Sequence, residues 1–102
     1  MKTIYKYTLS LEEITVIELP EGAVILTIQL QMNKPVMWAE VDTNAPKVRR
    51  SFRTVATGEN LDDPLQVART YVGTYQLEEG SLVLHVFEIM IRAVVPSQHF
   101  KK

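Results

Sequence analysis

Alternation of apolar and polar residues with a period of two is the feature that most constrains how this chain can fold. Stretches rich in valine, isoleucine, threonine and aromatic residues alternate in this way along most of the 102 residues, and no helical i, i+3, i+4, i+7 pattern persists. Turn residues separate these stretches at frequent intervals. The pattern therefore predicts an all-β domain, built as a small antiparallel sandwich or barrel of about seven strands.

The predicted strands follow from the alternating runs and from the turns between them. Asn33 and Gly80 mark two tight turns, because both residue types accept a positive φ. At most one short helical turn is expected, near residues 64–69, where Asp63 suits an N-cap and Pro64 the first helical position. The predicted strands cover residues 2–9, 14–19, 24–31, 35–42, 47–57, 69–77 and 81–95.

The alternation also predicts which side of a strand is buried. In the third predicted strand, the apolar side carries Val24, Leu26, Ile28 and Leu30. In the fourth, one side carries Met37, Ala39 and Val41, while Trp38 belongs to the other side. We expect the apolar sides to line the core.

The composition limits the possible classes of function. The chain has no cysteine, which excludes disulfides and thiolate catalysis and is typical of a reducing cytoplasm. Its 11 basic residues nearly balance 12 acidic ones, so no overall charge attracts the protein to extended nucleic acid or anionic lipid. The N-terminus resembles neither a signal peptide nor a membrane span. We predict a cytoplasmic protein with one domain over residues 1–95, a flexible tail over 96–102 and no membrane association.

Catalytic motifs are absent from the sequence. His85 lies in a predicted strand without a G-x-S-x-G motif or a second histidine at metal-ligand spacing, and we interpret it as a structural residue. Glu40 and Asp42 share a strand face beside Trp38, an arrangement that favours a salt bridge over a catalytic pair. The sequence therefore predicts a protein that is not an enzyme and has no cofactor and no metal. Catalysis through His85 with Glu40 or Asp42 is the alternative.

A basic segment is the strongest candidate for a binding site. Alternation places Lys47, Arg49 and Arg53 on one face of the fifth predicted strand, where forked arginines and a lysine suit a phosphate or carboxylate. Thr57 adds a hydroxyl at the end of that strand. Trp38 completes the predicted ligand-binding set as a ring for a nucleotide base, provided that it stands beside the arginines. The alternative is a solvated basic edge that prevents aggregation between sheets.

Five stretches carry a recognisable set of motifs: MKTIYKY, ITVIELPEGAVILTIQLQ, KPVMWAEVD, APKVRRSFRTVATGENLDDP and YVGTYQLEEGSLVLHVFE. Together they resemble a family of short, uncharacterised proteins from bacteriophages and prophages. The resemblance spans residues 1 to 89, whereas the segments at 65–70 and after Glu88 depart from the family pattern. It implies a phage accessory protein, and small phage proteins are often inhibitors of a host machine or of a defence signal.

These observations lead to two functional hypotheses. We expect a non-catalytic, phage-type accessory protein, an anti-defence inhibitor that binds an anionic nucleotide-like signal or a host defence protein through the basic strand. The alternative is a structural or scaffolding protein, associated with the virion, whose strands pair into a homo-oligomer.

Overall fold

The computed structural model of the chain describes residues 1–63 and 66–91. Its elements are β1 (Lys2–Thr8), β2 (Ile14–Pro20), β3 (Val24–Gln31), β4 (Lys34–Asp42), β5 (Lys47–Ala56), β6 (Gln66–Leu77), a 3-10 turn (Glu78–Gly80) and β7 (Leu82–Ile91). The seven predicted strands are confirmed to within a few residues at their ends. The last part of the predicted seventh strand, 92–95, and the predicted tail, 96–102, lie outside the described residues.

The strands form two antiparallel sheets. Sheet A has three strands in the order β1-β4-β3, and sheet B has four in the order β2-β5-β7-β6. Residues of both sheets contribute to one core, so the sheets pack face to face without closing into a barrel. The all-β prediction is confirmed, and the fold is the sandwich of the two predicted architectures.

The two predicted tight turns are confirmed. Met32 and Asn33 join β3 to β4 with φ values of 52° and 64°, the two positive angles that a type I′ hairpin requires. Gly80 lies in the connection between β6 and β7 with a φ of 92°. The β3–β4 hairpin therefore has the backbone twist that favours antiparallel pairing of its strands.

The 3-10 turn does not lie near residues 64–69, where the sequence predicts a helical turn. β6 begins at Gln66, so the described part of that segment is extended, and residues 64 and 65 lie outside the described residues. The turn spans Glu78–Gly80 instead. The local capping signal at Asp63 is outweighed by the pairing of β6 with β7.

The core comes from alternate residues of facing strands. Met37, Ala39 and Val41 of β4 are buried as predicted. Phe52 of β5 and Val86 of β7, each 0% exposed, are the corresponding core residues of sheet B. Burial of such side chains supplies most of the stabilising free energy of a domain of this size.

β3 departs from the predicted alternation. Its register against β4 shifts between Ile25 and Thr27, which introduces a β-bulge at Leu26. The extra residue changes which side chains after the bulge point to the core. Ile28 is therefore 4% exposed, whereas Val24 and Leu26 are 55% and 47% exposed. The prediction that Val24 and Leu26 share the buried side with Ile28 is wrong.

β3 and β6 approach each other closely at Gly73. A Cβ atom at this position would overlap Cγ2 of Ile28. The register of β6 against β7 also shifts between Tyr71 and Gly73. Glycine is therefore needed here because it leaves room for the neighbouring edge strand.

Replacing Gly73 tests this close approach. Gly73→Ala is expected to lower the free energy of unfolding by about 1–3 kcal/mol, because Ile28 must leave a well-packed position. Urea unfolding measures the change. In an Ile28→Ala background the same replacement should cost less, since the overlapped methyl group is gone. Equal costs in both backgrounds would contradict the packing explanation.

Tyr75 is a polar side chain in the core. The residue is 4% exposed, and its hydroxyl has no hydrogen-bond partner among the described residues. Burial raises the pKa of the Tyr75 hydroxyl above its ordinary value. The hydroxyl therefore destabilises the fold while the ring contributes apolar packing.

Removing this hydroxyl should stabilise the protein. Tyr75→Phe is expected to raise the free energy of unfolding by about 1 kcal/mol at neutral pH. The folded protein holds the Tyr75 proton more tightly than the unfolded chain does. The free energy of unfolding therefore has its full value below a pH of about 10 and falls as the pH rises above it, because the unfolded chain then releases this proton more readily. The variant should thus resist alkaline unfolding better than the wild type. Thermal unfolding at neutral and alkaline pH, with Tyr5→Phe as the exposed control, measures both effects, and a destabilised Tyr75→Phe would refute them.

Candidate binding surface

The predicted basic strand is β5, and the three cations of the predicted site lie on the outer face of sheet B, the side turned away from the core. Phe52 points into the core. Lys47, Arg49 and Arg53 alternate with it along an extended strand and therefore point outward. The predicted period of two over this segment is confirmed.

Arg53 binds groups of its own fold. The residue is only 7% exposed. Its Nε donates to Oε2 of Glu13 at 3.1 Å, and Nη1 and Nη2 donate to the backbone oxygens of Leu61 and Asn60 at 3.1 Å and 3.0 Å. The guanidinium thus joins the start of β2 to the connection that follows β5. It does not stand with the exposed cations of the predicted site.

The connection that Arg53 holds crosses the outer face of sheet B. β5 and β6 each pair antiparallel with β7, so they run parallel to each other with β7 between them. β5 ends at Ala56 opposite Leu84, whereas β6 begins at Gln66 opposite Ile91. The chain must therefore travel back along the sheet, and the hydrogen bonds from Arg53 place this path on the outer face.

Lys47 and Arg49 remain exposed near the start of β5. Nε of Arg49 lies 3.8 Å from Oε2 of Glu18, but the two side chains are 79% and 60% exposed. Such a contact is screened by solvent and neutralises the cation only weakly. Lys47 has no ion-pair partner among the described residues. On the adjacent strand, Ile14 and Val16 are 37% and 55% exposed. We use the name β2–β5 surface for these five exposed residues: Ile14, Val16, Glu18, Lys47 and Arg49.

Thr57 lies in another part of the same face. Its Oγ1 is 2.7 Å from Nε2 of His85, and Nδ1 of His85 is 2.9 Å from Oγ1 of Thr74. Oγ1 of Thr74 is in turn 2.6 Å from the hydroxyl of Tyr71. Both ring nitrogens of His85 are therefore hydrogen-bonded to threonine hydroxyls. This series of hydrogen bonds attaches Thr57, at the start of the crossing connection, to β7 and β6.

An aromatic ring and a guanidinium do meet on this face, but they belong to residues that the sequence analysis did not select. The rings of Tyr71 and Phe87 pack edge to face with centroids 5.7 Å apart, and the guanidinium of Arg69 lies 5.8 Å from the Phe87 centroid. Trp38 alternates with the buried residues of β4 and lies on the outer face of sheet A. The structure therefore does not bring Trp38 together with the predicted basic residues.

Arg50 and Glu88 form an ion pair that the sequence analysis missed. Nε and Nη2 of Arg50 donate to the two carboxylate oxygens of Glu88 at 2.6 Å and 2.7 Å, and Nη1 donates to the backbone oxygen of Ala23 at 2.6 Å. Hydrogen bonding to Glu88 raises the pKa of Arg50. A signal was present in the sequence. Arg50 is two residues from the core residue Phe52, and Glu88 is two residues from Val86, so the period of two places opposite charges on the apolar faces of these strands.

The residues of the catalytic alternative lie on different sheets. His85 is on the outer face of sheet B, whereas Glu40 and Asp42 are on β4 of sheet A. The backbone N–H of Asn44 donates to Oδ1 of Asp42 and lowers the pKa of that carboxyl group. Oδ1 of Asp42 also lies 3.5 Å from the N-terminal ammonium group. Asp42 thus stabilises the turn after β4 and the start of β1.

A comparison with models of known protein families shows which family the chain belongs to. The model of a family described as a domain of unknown function, DUF7352, matches residues 1–93. The chain belongs to this family. No curated protein and no solved structure gives a significant match. The match to DUF7352 includes all the described strands, so the β2–β5 surface is part of the family domain. Within residues 1–63 and 66–91, the DUF7352 domain has no helix that is long and apolar enough to span a membrane.

The role of Arg53 in the DUF7352 domain can be separated from that of its carboxylate partner. Arg53→Met is expected to lower the free energy of unfolding by about 2–4 kcal/mol. Two backbone oxygens and the carboxylate of Glu13 then all lose their hydrogen-bond donor. Glu13→Gln should cost less than about 1 kcal/mol, since the Glu13 side chain is 65% exposed. Urea unfolding of both variants measures the difference. Equal losses would show that the ion pair, rather than the attachment of the connection, is the main contribution.

Proposed function

We propose that this protein is a non-catalytic binding protein that recognises an acidic surface of another protein through the β2–β5 surface. The observation that supports this proposal is the exposure of Lys47 and Arg49 on the strand next to exposed Val16 and Ile14, with Val16 diagonal to Arg49 in the ladder. Arginine and apolar side chains together favour protein interfaces, and cations without strong partners accelerate association with an acidic surface. The proposal retains Lys47 and Arg49 of the predicted site and omits Arg53, Thr57 and Trp38.

The surroundings of the two cations favour a protein over a small nucleotide-like ligand. Recognition of a base requires a ring on which it can stack. Trp38 is on the opposite side of the sandwich, and Tyr71 is on β6, at the other edge of sheet B from β2. The β2–β5 surface instead offers two cations and two aliphatic side chains on adjacent strands. Such a surface suits complementary side chains of a folded partner.

The sequence motifs extend this proposal to a biological setting. Because they resemble those of phage and prophage proteins, we propose an accessory anti-defence inhibitor that binds a host defence protein in the bacterial cytoplasm. The absence of cysteine supports a reducing compartment. The acidic partner surface would be the part of the host protein that the inhibitor covers.

Charge reversal tests the proposed surface. The partner is captured from infected host cells with the tagged protein, then purified for titration calorimetry. The double variant Lys47→Glu/Arg49→Glu should bind at least about tenfold more weakly, with a smaller dependence on salt. The matched control, Lys2→Glu/Lys34→Glu, makes the same charge change on sheet A and should bind as the wild type does. Equal affinities of the two double variants would reject the β2–β5 surface.

A nucleotide-like ligand is the second candidate, and the cluster of Arg69, Phe87 and Tyr71 favours it. Tyr71 is 58% exposed and packs against Phe87, whose ring also contacts the Arg69 guanidinium. A ring and a guanidinium are the pair of groups that suit a base and a phosphate. If this candidate is correct, nucleotides raise the thermal stability of the protein. Tyr71→Ala then removes the effect, whereas Lys47→Glu/Arg49→Glu does not.

A further inference from the structure

β2 is an edge strand of sheet B with an unbroken register against β5. The N–H of Thr54 donates to the oxygen of Glu13, and the N–H of Glu21 donates to the oxygen of Pro46. These two bonds lie just beyond the two ends of the β2–β5 ladder. Hydrogen-bonded pairs alternate along an antiparallel ladder, so the odd-numbered residues of β2 form the bonds to β5.

The even-numbered residues of β2 therefore direct their backbone groups to the free edge. Ile14, Val16 and Glu18 each present an N–H and a C=O on this side, and no described backbone hydrogen bond joins β2 to a strand other than β5. Their side chains are the exposed ones of the strand. Pro20, which has no N–H, also falls in the even-numbered set and so removes no bond to β5.

The other three edge strands carry features that oppose strand addition. β3 has a bulge, and β6 has two register shifts and packs against β3. β1 exposes Lys2 and Lys6. Bulges and edge lysines are the usual means by which sheet proteins avoid pairing with other chains. Between Ile14 and Leu19, β2 has no lysine, no proline and no bulge.

We propose that β2 pairs antiparallel with β2 of a second copy of this chain, about a two-fold axis at Val16. In this register Val16 lies opposite Val16 of the second copy, and Ile14 lies opposite Glu18. Every free N–H and C=O of these three residues then has a partner, and no like charges face each other. The two four-stranded sheets become one continuous sheet.

The edge is self-complementary, which favours a second copy over a foreign strand. The two-fold places an aliphatic residue against the acidic one at both ends and an aliphatic pair at the centre. Lys47 and Arg49 lie one strand inside the new contact and remain exposed. The dimer therefore goes beyond the proposed function and does not require it, although it would display the two cations twice to a partner.

Substitution at the axis tests the pairing. Sedimentation velocity of the wild-type protein, from micromolar to near-millimolar concentration, should show a reversible dimer. Val16→Lys and Val16→Glu should each weaken dimerisation at least about tenfold, because each new charge faces its own copy across the axis. An equimolar mixture of the two variants should restore the dimer. Ile4→Lys, an exposed change on β1, is the control and should dimerise as the wild type does.

Several outcomes would overturn the pairing. A wild-type monomer at all concentrations would do so, as would dimers of both single variants or the failure of their mixture to associate. Circular dichroism establishes that the variants fold, which is expected because Val16 is 55% exposed. Lys47→Glu/Arg49→Glu should remain dimeric. This separates a failure of the β2 pairing from a failure of the proposed binding surface.

Discussion

The ion pair of Arg50 and Glu88 connects the two sheets of the sandwich beside their shared apolar core. Both residues lie on the inward-facing side of their strands, where an unpaired charge would be costly. The bidentate contact joins β5 to β7 within sheet B, and the third bond, to the oxygen of Ala23, reaches the beginning of β3 in sheet A. One guanidinium thus spans both layers. Replacing either partner would leave the other charge poorly solvated, so the two residues stabilise the sandwich only as a pair.

The same strand explains why a run of cations gives only a small exposed basic surface. β5 is the second strand of sheet B, and the parallel relation of β5 to β6 requires a connection that crosses the sheet. Arg53 lies under that connection and satisfies two of its backbone oxygens, while Arg50 faces sheet A and donates to the backbone oxygen of Ala23. Only Lys47 and Arg49, at the start of the strand, remain accessible. The topology therefore gives the arginines of this segment three different roles, namely solvent contact, sheet-to-sheet contact and attachment of the connection.

The difference between what could and could not be predicted follows from the range of the interactions concerned. Alternation is local, so the strands, the type I′ turn at Met32 and Asn33, and the buried side of β4 were accessible from the sequence. The bulge that exposes Val24 and Leu26 is set by the register against β4, and the burial of Arg53 is set by a connection that crosses to a distant strand. Trp38 and the basic strand were placed together only by hypothesis, because the assignment of a strand to one sheet or the other depends on long-range pairing. Arg50 and Glu88 are each recognisable in the sequence as a charged residue on the apolar side of a strand. That they pair with each other depends on the long-range pairing of β5 with β7.

The state of the sheet edges connects the fold to its proposed behaviour. A sheet that exposes an unprotected strand associates with whatever edge is available, and growth continues when the contact joins two different edges. The bulges of β3 and β6 and the lysines of β1 remove the different edges from this choice. What remains is the contact of β2 with itself, which uses the free groups of both copies and leaves no β2 edge to add a third. An edge of this kind therefore limits association to two chains without any device on β2 itself. It also keeps Lys47 and Arg49 one strand away from the contact, where their charges neither oppose the pairing nor are covered by it.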